Sequence, residues 1–314
     1  MKTERIKSLR IGTRGSKLAL WQAKWVKARL VEARSNLRVD LVIIKTSGDM
    51  IQGVPLVKIG GKGLFVKEIE NALLDGGIDL AVHSMKDVPI LIPPGLSIQC
   101  VTKREDPFDA LISRSGYGLS KLRQGARIGT GSLRRQAQLL HVRSDFAIVT
   151  IRGNLDTRLR KLEEQNLDAI LLAVAGLKRM GLGDRITETI PTEICLPAIG
   201  QGVLAIETRL EDHEVNETIA FLNDSETAVT MRAERAFLKR LEGGCQVPIA
   251  AYARWVDGGL VVEGMVASVD GKRMVRQTKR GEAEEAEALG VQLAETILSL
   301  GGDEILREIY DQNL

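Results

Sequence analysis

The sequence predicts an α/β protein of two topologically related domains followed by a small α+β domain. Three observations carry that expectation. Strand and helix signals alternate through the first two-thirds of the chain, which implies sheets with largely parallel pairing. One motif occurs twice: Arg10-Ile11-Gly12-Thr13-Arg14-Gly15-Ser16 is echoed, one residue shorter, by Arg127-Ile128-Gly129-Thr130-Gly131-Ser132. Beyond about Asn223 the pattern changes to alternating strands joined at Asp257-Gly258 and Asp270-Gly271, both strong hairpin signals.

Taken in order, residues 9–13 read as a short strand. Ser16 then caps a helix from Lys17 to about Glu32, with Leu18, Trp21, Trp25 and Ala28 as its apolar face. Residues 39–46 are a second strand, rich in Val, Leu and Ile. Residues 47–63 are glycine-dotted and without periodicity, as a long functional or mobile loop would be. A helix over 64–74, with Phe65, Ile69 and Leu73 on one side, stops at Gly76-Gly77. Residues 78–84 form a buried strand, and Met85-Lys86-Asp87-Val88-Pro89 leaves its carboxyl end.

The second half repeats this order. The helix after Ser132 has Leu133, Ala137 and Leu140 on one face and Arg134 and Arg135 off it. An apolar strand over 146–151 precedes Arg152-Gly153-Asn154 and a helix with Leu155, Leu159 and Leu162, and the strand over 167–174 parallels that over 78–82. Two crossings, over 100–107 and 197–202, suit a periplasmic-binding-protein-like pair of domains with a hinged cleft, and residues 203–208 return as a strand of the first domain. A helix with Ala228, Met231, Ala233 and Phe237 leads into Gly243-Gly244-Cys245-Gln246. Strands over 248–255, 259–268 and 273–279 and helices over 282–300 and 304–310 close the chain. The expected domains are 1–102 with 201–221, 103–200, and 222–314.

A length of 314 residues accommodates two or three such domains. The formal charge of +3, from 44 basic and 41 acidic residues, supplies no bulk field for nucleic acid or a membrane surface. Three scattered cysteines and no CxxC pattern argue against a disulfide framework or a metal site. The charged start Met1-Lys2-Thr3-Glu4-Arg5 lacks the apolar segment of a signal peptide, and the apolar run around 169–177 is too short to span a bilayer. A reduced, cytoplasmic, monomeric protein is expected.

The chemistry gathers at strand ends. Strand-to-helix turns collect backbone N–H groups at the positive end of a helix dipole and so favour anions. Two such turns carry Arg14 with Ser16, and Thr130 with Ser132. Arg134, Arg135, Arg152, Arg158 and Arg179 add planar forks that match carboxylates, although each alone also suits a solvated helix face. Asp87 at a strand's carboxyl end can orient an N–H, transfer a proton, stabilise a developing cation, or simply make the turn before Pro89. Cys245, between two glycines and Pro248, is either a small gap filler or a thiol presented for chemistry.

Together these stretches resemble the porphobilinogen deaminase (hydroxymethylbilane synthase) family. The likeness runs through Gly12 to Ser16, Val57 to Phe65, Val82 to Pro89, Gly129 to Arg135, Arg152 to Asn154, Leu177 to Arg179, Leu196 to Gly202 and Glu242 to Pro248, in family order. It implies head-to-tail condensation of four porphobilinogen molecules with loss of ammonia, then hydrolysis to linear hydroxymethylbilane in tetrapyrrole (porphyrin and heme) biosynthesis. It implies one dipyrromethane cofactor per chain, held by a thioether at Cys245, and no metal. Asp87 would be catalytic, stabilising the azafulvene cation left when ammonia departs. Cofactor binding would fall to Lys86, Asp87, Thr130, Ser132, Arg134, Arg135 and Arg158, and substrate binding to Arg14, Ser16, Phe65, Arg152, Arg158, Arg179 and Gln201. Lys58 and Lys62 would sit on a lid. A cytoplasmic two-domain module that only binds an organic anion is the alternative; it leaves the Gly-Gly-Cys stretch without a purpose.

Overall fold

Strand β1 (Ser8–Thr13) runs parallel to both its neighbours, β2 (Arg38–Ile43) and β3 (Leu80–Ser84). The computed structural model to which they belong describes residues 6–50, 66–242 and 247–311. Among these, one compact unit takes the chain through Arg104 and again over Val203–Ala228, and a second takes Glu105–Gly202 and Val229–Leu314.

The first unit's sheet is completed by β4 (Leu96–Val101) and β10 (Leu204–Arg209), in the order β2-β1-β3-β10-β4. The second unit contains β5 (Asp109–Ser113), β6 (Arg127–Gly129), β7 (Ala147–Val149), β8 (Ala169–Ala173) and β9 (Glu188–Ile190), in the order β7-β6-β8-β5-β9. In each sheet the strand bearing the repeated motif is parallel to both neighbours. In each, a strand arriving from a crossing, β10 or β5, is antiparallel to both of its own. The sheets therefore share one topology, as the motif implied. Pairing is parallel at only two of the four junctions in each, fewer than the alternating pattern suggested, because β10 and β5 enter from the opposite end.

Helix α1 (Lys17–Ala33) buries Gln22, Ala23, Val26 and Leu30; Leu18, Trp21 and Trp25 are half-buried and Ala28 is exposed. Two apolar stripes overlap on this helix, and the aliphatic one won the core against Leu9, Ile11 and Ile206. After the helical turn α2 (Ser47–Met50), α3 (Lys67–Leu74) packs Ile69 and Leu73 against Ala81 and Leu96. The second unit contributes α4 (Leu133–Val142), α5 (Leu155–Glu164) and α6 (Val174–Arg179), and α7 (His213–Ile219) follows β10. Cys100 lies within β4, so the outward crossing begins after Val101.

The third sheet is antiparallel: β11 (Ile249–Val256), β12 (Gly259–Ala267) and β13 (Met274–Gly281). Asp257 at φ +48° and Gly258 at φ +78° make the tight turn that Asp-Gly announces. Phe237 of α8 (Ser225–Arg240) and Leu293 of α9 (Ala286–Ile297) fill its core beside α10 (Asp303–Asp311). Gly264 admits the Phe237 ring, since a Cβ there would lie 2.7 Å from it. Among the described residues no helix is long and apolar enough to cross a membrane.

Candidate active site

In the first unit Arg14, Ser16 and Asp87 line one surface depression together with Gln22, His83 and Ser84. The buried Thr13 hydroxyl donates to Ala19 O at 3.2 Å, which ties the end of β1 to the first turn of α1. Ser16 is the N-cap, its Oγ accepting from Ala19 N at 3.3 Å. At the carboxyl end of β3 the chain makes one 3-10 turn over Met85–Asp87, fixed by Met85 N donating to Val203 O at 2.9 Å. That turn leaves Asp87 exposed, with no hydrogen-bond or ion-pair partner for its carboxylate among the described residues, while Lys86 is half-buried.

Gln22 escaped the sequence reading. It is buried on α1 and its Nε2 donates to Ser84 Oγ at 2.9 Å. The signal was present: a glutamine stands beside Ala23 on the stripe that Val26 and Leu30 continue.

In the second unit two helix N-termini meet. Ser132 caps α4 by accepting from Arg135 N at 3.4 Å, and Thr130 Oγ1 accepts from Ser132 N at 3.2 Å. Asn154 caps α5 by accepting from Thr157 N at 2.9 Å, and Arg158 Nε reaches back to Gly153 O at 2.8 Å. Gly131 permits the meeting, because a Cβ there would lie 2.6 Å from Ile151 O. Gly153 turns the chain at φ +113°. Arg152 and Arg158 are half-buried at this junction.

Arg134 and Arg135 are not off the packed face of their helix; both are 5% exposed. The reason is Asp109, which is fully buried and which sequence reasoning missed. Arg134 approaches one Asp109 oxygen at 2.8 Å and donates to Leu196 O at 2.6 Å. Arg135 donates to the other oxygen from Nε and Nη2, and to Leu171 O at 2.9 Å. Gln201, itself buried, adds a bond to Asp109 at 3.0 Å and one to Pro107 O at 2.6 Å. Burial alone would raise the Asp109 carboxyl, but Arg134 and Arg135 outweigh it and hold it well below the usual carboxylate range. Two guanidiniums against one carboxylate leave the cluster with one net positive charge.

Arg179 Nη2 donates to Gly202 O at 2.6 Å; burial, opposed by Glu105, pushes this guanidinium down to about 10. Cys100 and Cys195 are buried thiols pushed up to about 12, by burial in both and by Asp109 as well at Cys195, so neither is a nucleophile at neutral pH. Lys58, Lys62, Phe65 and Cys245 lie outside the described residues.

Residues 9–217 match the family described as porphobilinogen deaminase, dipyromethane cofactor binding domain, and residues 228–299 match the porphobilinogen deaminase C-terminal domain. The porphobilinogen deaminase of Geobacter metallireducens is 57% identical over 308 residues, covering 98% of this chain and 96% of that protein. That of Syntrophotalea carbinolica is 58% identical over 299 residues, 95% of each. Among solved structures, the methionine-binding protein MetQ is similar at TM-score 0.45 and 15% identity, covering 69% of this chain and 89% of that one.

Proposed function

The chain belongs to the porphobilinogen deaminase family, and from that premise we propose how its residues share the work of a hydroxymethylbilane synthase. The enzyme is a transferase of tetrapyrrole biosynthesis that joins four porphobilinogen molecules head to tail, with release of ammonia, on a dipyrromethane cofactor. Linear hydroxymethylbilane as the released product, a monomeric state and a cytoplasmic location are part of the proposal.

The donor set suits a cofactor and substrate whose every pyrrole ring carries an acetate and a propionate. Two helix N-termini with Thr130 and Ser132, and the guanidiniums of Arg152 and Arg158, offer N–H groups to carboxylates. The single net positive charge of Arg134, Arg135 and Asp109 adds a fixed field behind them. When bound, the dipyrromethane supplies the pyrrole end to which each new unit is added. Cys245 is its proposed thioether anchor, and Lys86, Asp87 and Arg158 complete its binding residues. Arg14, Ser16, Phe65, Arg152, Arg179 and Gln201 are assigned to substrate, and Lys58 and Lys62 to a lid.

Asp87 carries the reading. An exposed carboxylate that has no partner among the described residues, in one depression with Arg14 and Ser16, is placed to stabilise the positive charge that develops as ammonia leaves. Arg14 meanwhile holds a substrate carboxylate and so fixes the ring's orientation.

Intact-mass spectrometry tests the assignment. The active chain should carry a dipyrromethane-sized adduct that Cys245→Ser lacks. An unmodified Cys245 in active enzyme would overturn it.

A further inference from the structure

Behind the Asp87 depression lies a buried group of ionisable side chains that the reaction described so far does not use. His83 Nε2 and Glu207 Oε2 are 3.0 Å apart, with side chains 4% and 1% exposed. The antiparallel register explains the meeting: β3 pairs with β10 so that Ala205 faces His83 and Glu207 faces Ala81, which puts His83 and Glu207 on the same side of the sheet. The other Glu207 oxygen is buried without a hydrogen-bond partner among the described residues. Glu70, on α3, completes the group. It occupies a core-facing position beside Ile69 and Leu73 and is 7% exposed. Burial first, then Glu207, raises its carboxyl to about 7, with His83 opposing.

The second sheet is an internal control. Gly12 of β1 pairs with Ala81, and its counterpart Gly129 of β6 pairs with Ile170. Counting on from there, Leu172 stands where His83 does and Ile112 where Glu207 does, and these two pack in one hydrocarbon core. The topology therefore needs no ionisable pair at this place. Buried charges are costly, and hydrophobic replacements are often neutral or stabilising. The pair occurs in the unit that bears Asp87.

We propose that His83, braced by Glu207, stores the proton that each condensation releases. Each addition forms one C–C bond, between the substrate's methylene carbon and a pyrrole α-carbon. It breaks one C–N bond and one C–H bond. The substrate's aminomethyl group enters as its ammonium form, so ammonia leaves as NH3 with the C–N electron pair, and the α-hydrogen leaves as a proton. That proton goes to the imidazole nitrogen not engaged with Glu207, then to ammonia as ammonium, which resets the pair. His83 also lines the depression, so the path is short. A separate store matters because Asp87, if protonated, would lose the negative charge needed for the next departure of ammonia.

The surroundings offer few competitors. Arg209, two residues along β10 from Glu207, is committed to Leu73 O and Ile78 O, each at 2.8 Å, and to Asp212. Ile98 faces Glu207 from β4, and Cys100 packs in the core on the other side. Gln22 comes from α1, and Arg14 and Asp87 lie at the rim.

The inference rests on the reading of Asp87 given above, and its test separates the two. Holoenzyme and two variants, His83→Gln and the double variant His83→Leu with Glu207→Ile, are assayed for bilane formation with ordinary porphobilinogen and with porphobilinogen deuterated at its free α-carbon. The double variant copies the second sheet and should be at least as stable as the unsubstituted chain. Both variants should keep their cofactor by mass and their KM, lose roughly 10²-fold in kcat, and show a larger primary isotope effect as C–H cleavage becomes limiting. In the unsubstituted holoenzyme, the ¹⁵N shifts of His83 should titrate with the same midpoint as kcat, a readout that needs no variant to fold. Unchanged kcat, a fall in kcat without an isotope effect, or an imidazole that does not titrate with kcat overturns the proton store and leaves Asp87 untouched. Absence of bilane from the unsubstituted chain overturns both.

Discussion

Arg135 donates from Nε and Nη2 to the same carboxylate oxygen of Asp109, at 3.1 and 2.7 Å, inside the second unit. With Arg134 on the other oxygen, the carboxylate is enclosed by two guanidiniums and excluded from water. Removing one partner from such a cluster strands the charges that remain.

Asp109→Asn should therefore destabilise the chain by about 3–5 kcal/mol, measured by urea unfolding. The folded-state carboxyl lies well below its ordinary value, so its contribution is present at neutral pH. It is lost only as pH falls through that depressed value. A loss under 1 kcal/mol would mean that the arginines find water when the charge is gone.

Glu70 shows the opposite sign. A carboxyl raised from 4.5 to about 7 binds its proton more tightly in the folded chain than in the unfolded one. Folding stability therefore declines as pH rises through that window. Glu70→Gln removes the penalty, so the variant's stability relative to the unsubstituted chain should grow between about pH 4.5 and 7. Thermal melts across that range check it; a pH-independent difference would contradict it.

Asp87→Asn should lower turnover at least 10²-fold while leaving the unfolding free energy within the range of a surface change, about ±0.5 kcal/mol. The exposure of Asp87 predicts the second half of that outcome. Near-normal bilane production would remove Asp87 from the chemistry.

Gly131→Ala places a Cβ 2.6 Å from a backbone oxygen, Ile151 O, which cannot rotate away. The α4 and α5 N-termini should separate, at a cost of about 1–3 kcal/mol. Dipyrromethane loading, read by intact mass, should weaken with it. Unchanged loading and stability would show that the two turns move apart freely.

What was legible beforehand follows from where the determinants lie along the chain. The cap at Ser16, the Asp257-Gly258 turn and the doubled Gly-Thr motif are local devices, recorded in adjacent residues, and each forms as expected. The placement of Asp87 at a strand end is local in the same sense.

The partners of Arg134 and Arg135 lie 25 and 26 residues back, at Asp109, and their burial is invisible to helix periodicity, which treats an arginine as a surface residue. His83 meets Glu207 across 124 residues because β10 returns antiparallel beside β3. The sequence by itself determined the elements, their caps and turns, and the repeated architecture, since these depend on neighbours within one helical turn or one hairpin. Only the tertiary structure decided which charges are buried and with whom. Such a charge is tolerated only when a distant strand brings its counterpart, and strand register is set by the packing of the whole sheet.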